Sequence, residues 1–159
     1  MIFGISTTKK EVIIAETKVT AGKFAVTKII PVPFKTDSGD DLTELLKNIT
    51  VIFREGSKRA PASVALLKCS SGRFGSCLEA IKAEAMVELA IFQKGLAVTK
   101  VVPQSLKKAL GCGADEKWRD RAAKLFNPGD KRRNWSKGAA GAVSAAFKAA
   151  EVKLKGTVS

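Results

Sequence analysis

Histidine and tyrosine are absent from the 159 residues of this chain. Without histidine there is no Ser-His-Asp or Cys-His catalysis and no metal site with an imidazole ligand. Cysteine is scarce, since only Cys69, Cys77 and Cys112 occur, and their spacing fits no zinc or CxxC motif. An odd number of thiols is typical of free cysteines in a reducing cytoplasm. The alternative is a disulfide between Cys69 and Cys77, which bracket one loop.

Long apolar runs are also missing. No stretch approaches the length of about 20 residues that spans a bilayer. The opening residues MIFGISTTKK lack the basic and apolar regions of a secretion signal. Hydrophobic residues still make up 45% of the chain, which is enough to build a core. We therefore expect a cytoplasmic protein with no membrane association that folds as a single domain over residues 1–159.

Acidic side chains are few, with 15 Asp and Glu against 28 Lys and Arg, so the formal net charge is +13. The excess is distributed unevenly. Residues 1–100 carry a net charge of +5, and the shorter segment 101–159 carries +8. A basic, asymmetric charge distribution favours a polyanionic partner, nucleic acid above all. The alternative is that the positive charge only aids solubility.

Hydrophobic periodicity predicts an α/β protein in which three strands form an antiparallel meander and the later strands alternate with helices. The predicted strands are Ile2–Ser6, Glu11–Glu16, Lys23–Val32, Ser63–Leu67 and Leu96–Val102. The predicted helices cover 42–53, Ser76 to about Lys94, Pro103 to before Gly111, the region around Trp118–Phe126, and a last segment that begins near the N-cap Ser136. The expected fold is a central mixed sheet of about five strands flanked by helices.

Three segments carry a resemblance to a known family. The first strand, Ile2–Ser6, has Gly-Ile before its last residue. The loop before the long helix reads Gly-basic-Phe-Gly at 72–75, and the last helix is rich in small residues over 137–146. The chain thus resembles the ribonuclease H-like fold, specifically the RuvC-like branch of Holliday-junction resolvases. It is most similar to a bacterial RuvC-like group of unassigned function.

The resemblance implies which positions would carry the chemistry. RuvC-like resolvases cut DNA with two divalent metals held by carboxylates. In this chain the corresponding positions are Ser6 on the first strand, Lys68 after the fourth strand (Leu67 if the register shifts by one), and Gly138 and Gly141 on the last helix. None of these residues is an acid.

The missing carboxylates predict a protein that binds without cutting, with no catalytic residue, no metal and no cofactor. No Asp or Glu occurs between residues 131 and 150, so no shift of register restores the acids of the last helix. The alternative route to an enzyme is a relocated metal site on the long helix. There Glu84 and Glu88 share a face, and Glu79 lies more than a turn earlier.

Candidate nucleic-acid contacts lie in the loop before the long helix, at the end of the fourth strand and in a C-terminal basic cluster. Backbone N–H groups and hydroxyls of the loop suit a phosphate, and a lysine at the strand end could take over the electrostatic role of a metal. An ordinary turn and a lysine that only reaches solvent are the alternatives. We expect Trp118 to belong to the core and Trp135 to stack on a base. The predicted contacts are Lys68, Ser70, Ser71, Arg73, Lys107, Lys108, Lys117, Arg121, Lys131, Arg132, Arg133, Trp135 and Lys137.

The long helix has two apolar stripes, only one of which is needed to cover the sheet. One stripe is Leu78, Ile81, Ala85, Leu89 and Phe92, and the second is Ala80, Ala83, Val87, Ala90 and Ile91. The resemblance implies a homodimer through this region, which would leave the second stripe, with Val87 and Ile91, exposed in one chain. Burial of that stripe under the last helix is the alternative.

Three functions follow from these observations. The leading hypothesis is non-catalytic binding of structured or duplex nucleic acid, DNA first, through a basic surface. The second is a scaffold for protein–protein interaction, and the third is a metal-dependent nuclease with a relocated site. Because Arg132 and Arg133 lie in a predicted loop, we expect that replacing both by alanine weakens binding without unfolding the chain.

Overall fold

Five strands and five helices make up the part of the chain that the computed structural model describes, which is residues 1–57, 63–68 and 77–151. The strands are β1 (Ile2–Thr7), β2 (Glu11–Thr20), β3 (Lys23–Pro33), β4 (Ser63–Leu67) and β5 (Ala97–Val101). The helices are α1 (Gly39–Ser57), α2 (Leu78–Lys94), α3 (Leu106–Ala109), α4 (Trp118–Phe126) and α5 (Lys137–Ala150), with 3₁₀ turns at Pro103–Ser105 and Pro128–Asp130. Within these ranges no helix is both long and apolar enough to cross a bilayer.

The strands form one sheet in the order β3-β2-β1-β4-β5. The first three strands pair in antiparallel fashion, whereas β4 is parallel to β1 and β5 is parallel to β4. This arrangement confirms the predicted mixed sheet, a meander followed by parallel strands. Because β1 and β4 are parallel and pair Ile5 with Leu66, their carboxyl ends reach the same edge of the sheet.

Several element boundaries agree with the residues that predict them. The helix after the first 3₁₀ turn ends before Gly111, whose φ of 66° lies in the left-handed region. Ser136 is the N-cap of α5, because its side chain accepts a hydrogen bond from the N–H of Ala139 at 3.2 Å. β3 runs one residue further than predicted and includes Pro31 and Pro33. It is an edge strand, where proline is tolerated.

The sheet separates two apolar cores. On one face, α1 and α2 cover buried residues of β1, β2, β3 and β4. On the other face, α3, α4 and α5 form the second core, called here the α5-side core. The rings of Phe24, Phe126 and Phe147 meet there with centroids 5.2 to 5.5 Å apart. The elements after β5 therefore lie on one side of the sheet.

The last helix lies directly on β1 because small residues face each other across the contact. A Cβ on Gly4 would stand 1.9 Å from the carbonyl oxygen of Ala142, and one on Gly141 would stand 2.8 Å from Ser6 Oγ. Real Cβ atoms do not approach so closely, so these glycines set the distance between helix and sheet. This close packing brings the start of α5 to the carboxyl end of β1.

The stripe of α2 that was expected to be exposed is buried, and the other stripe faces solvent. Val87 and Ile91 are 0% and 3% exposed and pack with α1 in the first of the two cores. The expectation that they lie exposed in one chain is therefore wrong, because helical spacing alone does not show which stripe faces the sheet. The stripe that faces solvent, called here the exposed α2 stripe, contains Leu78, Ile81, Leu89 and Phe92.

Candidate nucleic-acid interface

Positions marked by the family resemblance meet at the carboxyl ends of β1 and β4. Ser6 is buried near the end of β1, and Lys68 is exposed directly after β4. Gly141 of α5 lies over both strands, since a Cβ there would be 2.8 Å from Ser6 Oγ and 2.9 Å from Leu67 Cδ2. Gly138 lies one turn earlier on α5, against the start of β2. Ser6, Lys68 and Gly141 are thus neighbours at one sheet edge.

A cavity of about 220 Å³ opens at this edge, and we call it the strand-end cavity. Its walls come from the β1–β2 turn, the end of β4, the start of α2, the first 3₁₀ turn and α4. Hydroxyl-bearing and cationic side chains account for six of its lining residues, namely Ser6, Thr7, Thr8, Lys9, Lys68 and Arg119. No described residue that lines it is acidic. The strand-end cavity therefore has the chemistry of an anion site.

Two cations of this cavity, Lys9 and Arg119, were not among the residues predicted from sequence. Lys9 follows β1 in the turn before β2, and that turn lies beside the end of β4 because β1 and β4 are parallel. The parallel pairing of β1 with β4 is therefore the feature from which Lys9 could have been predicted. No sequence signal singled out Arg119 from the other cations of α4.

Arg119 packs its guanidinium over the ring of Trp118, with 4.2 Å from Cζ to the ring centroid. The residue is exposed at the surface, yet desolvation by its surroundings lowers the pKa of the guanidinium. Trp118 itself is partly buried against the α5-side core, as expected. The indole thus packs against a cation that lines the strand-end cavity.

The acidic residues Glu79 and Glu88 of α2 do not line the strand-end cavity. A hydrogen bond from its own backbone N–H is the main cause that lowers the pKa of the Glu79 carboxyl, and the charges of Lys9 and Lys82 add to it. Glu88 forms a salt bridge with Lys100 at 3.4 Å. Across residues 1–57, 63–68 and 77–151, no three Cys, Asp or Glu side chains cluster as metal ligands would.

A second depression, the Trp135 groove, adjoins the cavity through Arg119 and has a volume of about 500 Å³. Its charged lining residues are the cations Lys117, Arg119 and Lys137 and the acid Asp120, and its aromatic wall is Trp135. Part of Trp135 packs against the α5-side core, and the rest borders the groove. A wide groove with cations and one aromatic face is suited to a nucleic-acid strand.

Solved structures show which fold this is, although no family model and no curated protein sequence matches the chain. RuvC of Thermus thermophilus aligns with a TM-score of 0.72 at 18% identity, over 94% of this chain and 92% of its own. The same protein in complex with a Holliday-junction substrate gives a TM-score of 0.70 over the same shares. The fowlpox virus resolvase, in complex with its substrate Holliday-junction DNA, gives 0.56 at 12% identity, over 94% and 97% of the two chains. The chain has the RuvC fold.

The pair of metal ions that the RuvC resemblance implies does not fit the residues at this sheet edge. Hard divalent cations need oxygen ligands, chiefly carboxylates. Ser6 offers one hydroxyl, Lys68 brings a positive charge, and Gly141 has no room for a side chain beside Ser6 and Leu67. The described lining adds the charges of Lys9 and Arg119, which repel a metal ion rather than bind it.

Arg132 is held by hydrogen bonds within the protein. Its Nε donates to the carbonyl of Phe126, its Nη1 donates to the carbonyl of Val26 at 3.1 Å, and its backbone N–H donates to Asn127 Oδ1 at 2.6 Å. The side chain thus joins the end of α4 to β3 across 106 residues of sequence. The position of Arg132 in a loop therefore does not leave its side chain free, and its replacement removes hydrogen bonds that hold the fold.

Other predicted contacts also support the loop between α3 and α4. Lys107 Nζ donates to the carbonyl of Ala114 at 2.8 Å, and Arg121 Nε donates to the carbonyl of Leu110 at 3.2 Å. A hydrogen bond from Lys124 at 3.0 Å is the main cause that lowers the pKa of the Glu116 carboxyl, at the centre of this loop.

The remaining predicted contacts divide into two groups. Ser70, Ser71 and Arg73 lie outside the described residues, as does Cys69 of the alternative disulfide. The exposed cations are Lys68, Lys108, Lys117, Lys131, Arg133 and Lys137, and all except Lys68 belong to the elements after β5. These exposed side chains can reach a partner at little cost to the fold.

Proposed function

We propose that this chain is a non-catalytic RuvC-like protein that binds branched or duplex DNA, in the cytoplasm, as a single ribonuclease H-like domain. The observation that carries the proposal is the strand-end cavity. At the sheet edge where the resemblance implies metal-binding carboxylates, the chain has Ser6, Lys68 and Gly141, together with Lys9 and Arg119. Such a site attracts phosphate and does not activate water.

Two structures of the same fold support DNA as the ligand. They are the complexes of Thermus thermophilus RuvC and of the fowlpox virus resolvase with Holliday-junction DNA. The proposed surface of this chain continues from the strand-end cavity through Arg119 into the Trp135 groove. The exposed cations Lys117, Arg133 and Lys137 extend it over the same side of the sheet.

A binding panel tests the proposal. Single-stranded, duplex and four-way-junction DNA and a structured RNA are titrated with the protein at 50 and 200 mM salt. We expect the junction or the duplex to bind tightest and the affinity to fall steeply with salt, because each phosphate contact releases a counterion. Absence of binding to every nucleic acid at 50 mM salt would falsify the proposal and favour the protein scaffold.

Incubation of a four-way junction with Mg²⁺ or Mn²⁺ separates binding from cleavage. Intact DNA after long incubation is the expected result. Metal-dependent products that persist in highly purified protein would establish the nuclease alternative instead.

The exposed α2 stripe supports a homodimer as a second part of the proposal. Phe92, Ile81 and Leu78 are 82%, 50% and 62% exposed, which leaves a row of large apolar side chains in water along one helix. Rows of this kind mark contact sites with another protein surface. A second copy of this chain is the proposed occupant, since the resemblance implies a dimer through this helix.

A further inference from the structure

The cations of the strand-end cavity have no salt-bridge partner among the described residues. Lys9, Lys68 and Arg119 form no salt bridge with any carboxylate of residues 1–57, 63–68 and 77–151. Glu79 is the acid whose charge acts on Lys9, and its carboxyl already accepts from its own N–H. Three cations that line one cavity and form no salt bridge with a described residue are arranged for an external anion.

The polar groups of the cavity favour a tetrahedral anion. Ser6 Oγ makes no hydrogen bond with another described residue, and Ser6 lines the cavity together with Lys68. Thr8 Oγ1 donates to the carbonyl of Glu11 at 2.9 Å, so the turn that carries Lys9 is held in place before any ligand arrives. A fixed turn and a hydroxyl give a phosphate both charge and direct donors.

The cavity of about 220 Å³ opens to solvent and has room for a phosphate group. The Trp135 groove shares Arg119 with the cavity, so the rest of a ligand whose phosphate group occupies the cavity could extend into the groove. Base and sugar would then lie outside the cavity.

We propose that the strand-end cavity binds one phosphate group without a metal ion, with Lys9, Lys68 and Arg119 supplying the charge that metals supply in an active nuclease. The phosphate belongs either to a DNA backbone, in which case the inference rests on the proposed function, or to a free phosphate monoester. Lys9 and Arg119 thereby become ligand-binding residues. No bond is formed or broken.

Titration with inorganic phosphate in the presence of EDTA tests the site apart from DNA. Backbone amide NMR signals of Thr7, Thr8, Lys9 and Cys77 should shift together, and EDTA should leave the shifts unchanged. The double variant Lys9→Ala/Lys68→Ala should weaken phosphate binding at least tenfold. Shifts that spread over the whole basic surface, or that disappear with EDTA, would overturn the proposal.

A matched control keeps the net charge equal. Lys18 and Lys23 are exposed at the other end of β1, where β2 and β3 form their hairpin, so Lys18→Ala/Lys23→Ala removes two charges far from the cavity. This variant should bind phosphate as the unchanged protein does. Equal weakening in both variants would show that only net charge matters and would contradict the site. Thermal unfolding of both variants checks that each is folded.

Binding of four-way-junction DNA distinguishes the two phosphate sources. The salt slope is the steepness with which the logarithm of the DNA affinity falls with the logarithm of the salt concentration. If DNA occupies the cavity, Lys9→Ala/Lys68→Ala lowers this slope by about 1.8. Between 50 and 200 mM salt, the variant then loses about twelvefold less affinity than the unchanged protein does. If DNA binds with an unchanged slope while inorganic phosphate still shifts the cavity amides, the source is a free monoester. If DNA does not bind at all but phosphate does, the proposed function fails and this site stands.

Discussion

Positive charge has different roles at neighbouring residues of this chain. Arg132 donates to two backbone carbonyls, whereas Arg133 beside it is exposed to solvent. Lys107 and Arg121 likewise support the loop between α3 and α4. Arg119 makes no such bond to a described partner and packs over Trp118. A basic composition therefore overstates the number of side chains that are available to a polyanion.

Arg132→Ala should destabilise the protein, and Arg133→Ala should not. The first change leaves the carbonyls of Phe126 and Val26 without their charged donor, which costs about 1.5–3 kcal/mol. The second removes an exposed side chain and should change the free energy of unfolding by less than about 0.5 kcal/mol. Denaturant unfolding measures both. Equal stabilities of the two variants would show that the Arg132 hydrogen bonds contribute nothing.

Gly4→Ala should be among the most destabilising single methyl additions. The new Cβ would stand 1.9 Å from the carbonyl oxygen of Ala142, a backbone atom that cannot rotate away. Overpacking of this kind costs about 3 kcal/mol when helix and strand must separate. Gly39→Ala is the control, because nothing lies within 4 Å of its Cβ. A thermal midpoint that moves equally little in both variants would refute the close packing of α5 on β1.

At the scale of elements, local signals predict boundaries better than they predict contacts. The succession of strands and helices followed from the hydrophobic periodicity, and Ser136 was recognisable as an N-cap from its place before a small-residue helix. The faces of α2 were not recognisable, because both stripes are apolar and only packing against α1 distinguishes them. Lys9 and Arg119 belong to elements far apart in sequence, so their meeting depends on tertiary structure alone.

The exposed α2 stripe leads to a prediction about association. Phe92→Ser and Ile81→Ser should each weaken the dimer at least tenfold, since burial of a large apolar side chain contributes about 1.5–3 kcal/mol. Val51→Ser on α1, which replaces another exposed apolar residue, should leave the dimer intact. Sedimentation velocity at micromolar protein measures the association. A protein that is monomeric before any substitution would exclude this interface.

At the scale of the whole molecule, the sheet separates a basic side from a more neutral one. The segment after residue 100 holds most of the net charge, and its described elements lie on the α5 side. The α1 and α2 side carries the exposed α2 stripe instead. A dimer through α2 would therefore leave the basic side of each copy turned to solvent.

This two-sided arrangement predicts that DNA affinity depends on where a charge is removed. Lys117→Ala/Lys137→Ala removes two cations that line the Trp135 groove, and it should lower the salt slope of junction binding by about 1.8. Lys35→Ala/Lys47→Ala removes the same charge from exposed positions near and on α1 and should leave the slope unchanged. Binding isotherms at four salt concentrations between 50 and 200 mM supply both slopes. Because the two variants have the same net charge, identical slopes would mean that DNA is attracted by overall charge and that no side of the sheet is its binding surface.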